Sequence, residues 1–158
     1  MKRVVNRLLS SIPEHSLIGL KLIVLTNINA LNRKTRRELR GKKEQSVKWK
    51  GWYDPSGKNH SAKIELLVDI ILRPFSKTDL YLSLMQDFIF SDVLYHEIGH
   101  HIHLTTGQEH RKEEVVAEQW KRKLFRRHFI RKYWYAYFLL VSLKPIIRFF
   151  QKKSGQKA

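Results

Sequence analysis

A histidine-rich stretch supplies the residues best suited to chemistry. The segment "DVLYHEIGHHIHLTTG" contains four histidines within eight residues and one glutamate, Glu97. On an α-helix, His96 and His100 are separated by about 40° around the axis and about 6 Å along it, so both imidazoles can reach one ion. Glu97 stands beside this pair. The pattern is H-E-x-x-H, in which the glutamate accepts a proton from water activated by a metal.

A catalytic zinc of tetrahedral geometry needs a third protein ligand, because its fourth position is left open for water. The chain contains no cysteine, so that ligand must be a histidine or a carboxylate. Glu114 stands fourteen residues beyond His100, in the first turn of a second predicted helix. It is a feasible third ligand, with Glu113 and Glu118 as competitors. Glu113 is otherwise interpreted as part of an ordinary acidic helix start.

The remaining candidates around the motif have weaker arguments. His101 points about 100° away from His100 on a helix, which predicts a surface position. His103 is a candidate for supporting a metal ligand from behind. Three side chains qualify as hydrogen-bond donors to a developing oxyanion, and the sequence does not select among them: Tyr53, Tyr95 and His110.

The charge of the chain is strongly positive and unevenly distributed. Its 158 residues carry 31 Lys and Arg against 14 Asp and Glu, a formal net charge of +17, and no acid occurs after Glu118. The absence of cysteine excludes disulfide partners and thiolate metal sites. The basic C-terminal third predicts an anionic partner, which net charge alone leaves open as nucleic acid, an anionic membrane surface or an acidic protein.

The segments before the motif predict a helix and a small sheet. "MKRVVNRLLSS" is typical of a short amphipathic helix with Val4, Val5, Leu8 and Leu9 on one side. "SLIGLKLIVLT" predicts a buried strand that ends near Thr26. "SVKWKGWYD" and "AKIELLVDI" predict a β-hairpin, because "PSGKNHS" between them supplies the residues that a reversal needs.

Helical spacing of apolar residues begins near Asp79 and continues to Thr106. Ser76 or Asp79 is expected to cap the start of this helix, and Gly107 to end it. The span is long for a globular protein, so a break near Ser91 is considered, which would leave the motif on a helix of its own.

A second helix, "RKEEVVAEQWKRKLFRRHF", begins with acids and ends with bases, as the helix dipole favours. The apolar run that follows, from Tyr133 to Leu143, is about half of the ~20 residues that a bilayer crossing requires. Two interpretations of this tail remain open. Trp134, Phe138 and Leu140 either cover an apolar face of the domain or attach the protein to an anionic surface.

"HEIGH" followed by "EVVAEQW" resembles the gluzincin metallopeptidases, and specifically the ImmA/IrrE-type group. In that group H-E-x-G-H is followed by a helix of the approximate pattern E-x-x-A-N-x-F. Glu114, Ala117 and Trp120 match this pattern, while Glu118 replaces the Asn. The resemblance covers roughly residues 15–128 and includes the strand and the hairpin upstream of the motif.

The resemblance implies an α+β fold, a small zincin-like domain with a short antiparallel sheet and two zinc-holding helices, here followed by a C-terminal helical appendage. It implies that His96, His100 and Glu114 bind Zn2+ and that Glu97 is the general base. It also implies cleavage of peptide bonds in a protein substrate. The tail has no counterpart in the family's pattern.

We therefore expect a metallopeptidase domain over residues 1–128 and a basic aromatic segment over residues 129–158. The expected function is a zinc-dependent endopeptidase that hydrolyses a protein or peptide substrate by metal-activated water. The alternative is a basic protein that binds nucleic acid or anionic membrane and carries a structural or degenerate metal site. The expected location is cytoplasmic, with peripheral contact to a membrane.

Overall fold

The computed structural model describes residues 1–31, 33, 36, 50–55, 57, 61–76, 78–107 and 113–154, with side chains described up to residue 135. The elements with bounds inside these residues are four helices and three strands, which confirms an α+β chain with a helical C-terminal part. They are α1 (Lys2–Leu9), β1 (Leu20–Thr26), β2 (Gly51–Asp54), β3 (Ala62–Leu67), α2 (Val68–Leu72), α3 (Ser83–Thr105) and α4 (Glu113–Ser154). Short 3-10 turns occupy Glu14–Leu17, Ile28–Ala30 and Asp79–Tyr81.

The three strands form one sheet in the order β1-β3-β2. β2 and β3 pair antiparallel, with Tyr53 opposite Ile64, as the predicted hairpin requires. β1 ends at Thr26 as expected but runs parallel to β3, so the expectation of an antiparallel sheet is wrong for this pair. A tight reversal forces neighbouring strands to be antiparallel, whereas the long connection from β1 to β3 permits either direction.

The core lies between the sheet, α1 and α3. Ile64 and Leu66 of the central strand β3 are fully buried, because β3 has a neighbour on each edge and helices on one face. Val4, Val5 and Leu8 of α1 are buried against them, which confirms the predicted amphipathic helix.

Helix α3 is continuous, so the break considered near Ser91 does not occur. The Ser91 side chain is buried, and its hydroxyl donates a hydrogen bond of 2.9 Å to the carbonyl of Phe88. This bond satisfies the serine within the helix and leaves the backbone helical.

Local contacts form the turn that precedes α3, and a glycine follows its last turn. The hydroxyl and backbone N–H of Ser76 donate to the Asp79 carboxylate at 2.7 and 2.8 Å, which closes a turn ahead of the helix. The capping prediction for these residues is therefore wrong, since α3 begins only at Ser83. Gly107 adopts a positive φ of 68° directly after the last turn, as a helix-ending glycine does.

A buried carboxylate joins three helices. Asp87 of α3 has no exposed side-chain surface and accepts hydrogen bonds from Arg7 Nε (2.7 Å), His128 Nε2 (3.0 Å), Lys132 Nζ (2.8 Å) and the Tyr133 hydroxyl (2.7 Å). Burial alone would raise the pKa of Asp87, but these donors together outweigh burial and hold the pKa well below its usual range. Asp87 therefore fixes α1 and α4 to α3.

The predicted domain boundary after His128 falls inside α4. The backbone of α4 leaves helical geometry at Tyr133 (φ −120°, ψ 31°), and Lys132 and Tyr133 still contact Asp87. Trp134 follows this kink and is largely exposed, while the side chains of Phe138 and Leu140 lie outside the described ones. The division at residue 128 thus stays a prediction.

Across the described residues, each helix is too short or too polar to cross a membrane.

Asp87→Asn should lower the free energy of unfolding by about 3–5 kcal/mol, because the cations and donors around it lose their shared buried acceptor. Urea denaturation at neutral pH measures this loss. Asp92→Asn is the matched control, since Asp92 lies on the same helix but is half exposed and pairs with Lys121 at 3.1 Å. Its loss should stay below about 1 kcal/mol, and equal losses for the two variants would contradict the role given to Asp87.

The stabilities of the wild type and Asp87→Asn should depend differently on pH in the acid range. Because folding lowers the pKa of Asp87 from 3.8, its contribution to stability is complete above that value and is lost as the pH falls below it. The stability gap between the wild type and Asp87→Asn should therefore narrow below about pH 4. A gap that stays constant from pH 7 to pH 2 would contradict this assignment.

Candidate metal centre

The two helices that carry the motif residues approach each other very closely at one glycine. A Cβ atom added to Gly99 would lie 2.5 Å from the carbonyl oxygen of Ala117 and 2.8 Å from its Cα. Such distances are too short for any side chain, so glycine is required at this position of α3. The contact brings the first turn of α4 alongside His96 and His100.

The first turn of α4 places one carboxylate in front of both motif histidines. The Nε2 atoms of His96 and His100 lie 3.2 Å apart. Oxygens of Glu114 lie 3.4 Å from Nε2 of His96 and 3.7 Å from Nε2 of His100. Tetrahedral zinc with bonds of about 2.0–2.1 Å separates its ligand atoms by about 3.3 Å. The two Glu114 distances belong to different oxygens, and with one ligand atom from each residue the three atoms lie within 4.8 Å of one another. The three residues can therefore hold a metal ion once the carboxylate turns to bring one oxygen to the tetrahedral spacing.

The two competing glutamates contact the opposite ring nitrogens. Glu113 lies 3.2 Å from Nδ1 of His100, and Glu118 lies 3.8 Å from Nδ1 of His96. A carboxylate in this position fixes the orientation and tautomer of a histidine ligand and does not bind the ion. Glu113 thus has a contact that an ordinary acidic helix start does not provide.

Glu118 is shared with cations. Its carboxylate lies 2.7 Å from Lys121 Nζ and 3.3 Å from Arg122 Nε, both closer than His96. Burial raises the pKa of Glu118, but the hydrogen bonds and charges of Lys121 and Arg122 outweigh burial and lower it. Glu118 is therefore more strongly bound to these cations than to the histidine, and Glu113 is the better orienting group.

The surroundings of His96 favour its neutral form, which suits metal binding. Burial lowers the pKa of His96, and the neighbouring His100 lowers it further, while Glu114 raises it. A neutral imidazole has the lone pair that a metal ligand needs. Glu114 is 79% exposed, so the centre opens to solvent on the side of α4 and a water molecule can enter.

Glu97 lies beneath the histidine pair and is held by the sheet. Its side chain is almost fully buried, and it accepts a hydrogen bond from the backbone N–H of Tyr53 in β2. Burial and, to a smaller extent, the charge of Glu114 raise the pKa of Glu97 to about 7 against the lowering effect of that bond. A bound dication beside the carboxylate would lower this pKa again.

His101 is buried, so the prediction of a surface position is wrong. Its Nε2 lies 3.0 Å from the carbonyl oxygen of Ile18 and its Nδ1 lies 3.0 Å from the Tyr53 hydroxyl. A carbonyl can only accept, so Nε2 carries the proton and Nδ1 accepts from Tyr53. The prediction failed because α3 is covered by the sheet as well as by α4. A residue that lies about 100° around the helix from His100 therefore still faces a covered side.

Two of the three residues considered as hydrogen-bond donors to an oxyanion have hydroxyls with partners inside the protein. The proton of the Tyr53 hydroxyl is donated to His101. Tyr95 is buried toward α1, where its hydroxyl contacts Ser11 Oγ at 3.0 Å and the Leu8 carbonyl at 3.3 Å. Neither hydroxyl is therefore available to a substrate, and His110 lies outside the described residues.

His103 does not support a metal ligand in the way considered. Its ring is fully buried, and neither ring nitrogen has a hydrogen-bond partner among the residues that the structure describes. The backbone bond from Tyr53 to Glu97 was not predicted from the sequence. The residues that could have indicated it are the "GWY" of the predicted hairpin, where a Cβ atom added to Gly51 would lie within 3.0 Å of Leu66 and Val93.

Comparisons with protein-family models, with curated proteins and with solved structures gave no match to this chain.

Gly99→Ala should separate α3 from α4 and destabilise the protein by about 1–3 kcal/mol. An alanine in an open helix would instead stabilise it by about 1 kcal/mol, so the sign of the change is informative. Thermal unfolding measures the sign, and zinc titration of the folded variant should show weaker binding because Glu114 moves away from the histidines. A more stable variant with unchanged zinc binding would contradict the close approach.

Proposed function

We propose that this protein is a zinc-dependent endopeptidase with His96, His100 and Glu114 as metal ligands and Glu97 as general base. One observation carries the proposal. Among the described residues, the Glu114 carboxylate is the one that faces Nε2 of both motif histidines, and Glu97 stands beside them. Two histidines and a glutamate with an open side match the ligand set of catalytic zinc, whereas structural zinc sites are closed by four protein ligands.

Local charge also favours a dication at this place. The chain as a whole has a net charge of +17, yet four glutamates collect around the two histidines. They are Glu97, Glu113, Glu114 and Glu118. If the acids were spread evenly over so basic a chain, four of them would not lie together. Their concentration on facing surfaces of α3 and α4 therefore supports a cation site.

The catalytic work of the chain itself falls on Glu97. A zinc ion, when bound, supplies a Lewis acid that polarises the scissile carbonyl and acidifies a water molecule. Glu97 accepts a proton from that water and transfers it to the leaving amine, as a general base and then a general acid. The N–H of Tyr53 holds the carboxylate in place on the side facing β2.

The substrate is proposed to bind as an extended peptide along β2. β2 is an edge strand in the order β1-β3-β2, and it packs directly on the motif helix α3. Apart from the N–H of Tyr53, which is donated to Glu97, the outer edge of such a strand offers backbone donors and acceptors to an added strand. Main-chain bonds of this kind would position a scissile bond without demanding a particular side chain.

The alternative function is a basic binding protein whose metal site is structural. The acid-free part of α4 beyond Glu118 favours this class. Glu97 discriminates between the two proposals, because a structural zinc site needs its ligands and has no use for a general base.

Glu97→Gln should retain zinc and fold but lower peptide hydrolysis by about 10²–10⁴-fold, because proton transfer from water is lost. The assay uses unfolded casein and a mixture of quenched fluorescent peptides with zinc-loaded protein. Glu14→Gln, on an exposed turn, is the matched control and should keep full activity. Undiminished hydrolysis by the zinc-loaded variant would refute Glu97 as base, and a zinc-loaded wild type that cleaves nothing would favour the binding protein.

Substitutions of the three neighbouring glutamates should weaken zinc binding to different extents. Glu113→Ala should weaken zinc binding by roughly 10–100-fold, because it orients His100 and does not touch the ion. Glu114→Ala should weaken it more than that, because a direct ligand is lost, and Glu118→Ala should weaken it least. Competition with a chelating dye measures all three. A larger loss for Glu113→Ala or Glu118→Ala than for Glu114→Ala would show that the third ligand is misassigned.

A further inference from the structure

One stretch of α4, residues 119–135, carries charge of a single sign. It has seven Lys and Arg and no acid. Six of its side chains line an open groove of about 570 Å³: Arg122, Lys123, Arg126, Arg127, Ile130 and Arg131. A groove with five cations and no carboxylate concentrates positive potential and attracts anions.

Four of the five groove cations have no carboxylate partner among the described residues, and one of these, Lys123, lies 4.4 Å from the centre of the Trp120 ring. Arg122 pairs with Glu118, and Lys132 beyond the groove pairs with Asp87. Arg126, Arg127 and Arg131 are exposed and take part in no ion pair there. Nothing in that part of the fold uses their charge, so it is directed outward.

Apolar side chains are interleaved with these cations. Ile130 is 49% exposed in the groove, and Trp134 and Tyr135 just beyond the kink are 58% and 50% exposed. Tryptophan and tyrosine favour the headgroup level of a bilayer, where one end of the ring is apolar and the other is wet. An exposed isoleucine between arginines gains nothing from a phosphodiester backbone, since it neither stacks nor donates, but it gains from entering lipid.

We propose that this face of α4, defined by Arg126, Arg127, Ile130, Arg131 and Trp134, docks on the surface of an anionic lipid bilayer. The arginines meet lipid phosphate and carboxylate groups, while Ile130 and Trp134 enter the boundary between headgroups and acyl chains. From Glu114 to Arg126, the nearest residue of this face, is twelve residues, or about 18 Å along a helix. Docking therefore leaves the candidate metal centre clear of the lipid, and the inference does not depend on the proposed function.

Vesicle binding of the full-length protein tests the arginines. Vesicles of phosphatidylcholine with 30% phosphatidylserine should bind the protein, pure phosphatidylcholine should not, and binding should weaken with added salt. Arg126→Gln/Arg127→Gln should bind about 30-fold more weakly, at about 1 kcal/mol for each lost charge. Lys2→Gln/Lys21→Gln is the charge-matched control, in a separate groove between α1 and β1, and should bind as the wild type does. Equal losses for both double variants would overturn the proposal, because net charge alone would explain binding.

The isoleucine separates lipid from nucleic acid. Ile130→Ser keeps the net charge and should weaken vesicle binding by about tenfold, while Ile18→Ser, at a side chain that is 71% exposed in another part of the fold, should not change it. Thermal unfolding confirms that each variant remains folded. The proposal is overturned if Ile130→Ser binds vesicles as the wild type does, or if duplex DNA or single-stranded RNA binds more tightly than the vesicles at the same salt.

Discussion

The approach of Gly99 to Ala117 is the contact on which the candidate site depends. Without it α4 would stand farther from α3, and Glu114 would no longer reach the Nε2 atoms of His96 and His100. A single missing side chain thus converts a histidine pair on one helix into a three-residue cluster. The glycine serves a packing need here, since its backbone is helical and needs no special conformation.

A second contact, at Asp87, holds the far end of the same helix pair. Close packing at Gly99 aligns the helices, and the buried ion cluster prevents α4 from sliding or rotating, because Asp87 receives donors from two turns of α4 and one from α1. Six of the fourteen acids of this basic chain lie on α3 and α4. The outer face of α4 is left with positive charge, so one helix presents a carboxylate-rich site at its start and a cationic surface farther along.

Local patterns predicted those features that depend on residues close in sequence. The four-residue spacing of His96 and His100, the hairpin and the stop at Gly107 each follow from geometry within one element. The direction of β1 did not, because strand direction depends on a long connection. Burial of His101 and the role of Asp87 depend on which elements cover α3, and helical spacing around α3 carries no such information. Spacing along the sequence allowed Glu113, Glu114 or Glu118 to be the third metal ligand. Only the packing of α3 against α4 shows which ring nitrogen each glutamate faces.

The assignment of the zinc ligands can be tested by anomalous diffraction from zinc-loaded crystals, recorded on both sides of the zinc absorption edge. We expect one peak about 2.0–2.2 Å from Nε2 of His96, Nε2 of His100 and a carboxylate oxygen of Glu114, with Glu113 on Nδ1 of His100 and no bond from Glu97. A peak bound by Glu113 or Glu118, or no peak between α3 and α4 at saturating zinc, would contradict it.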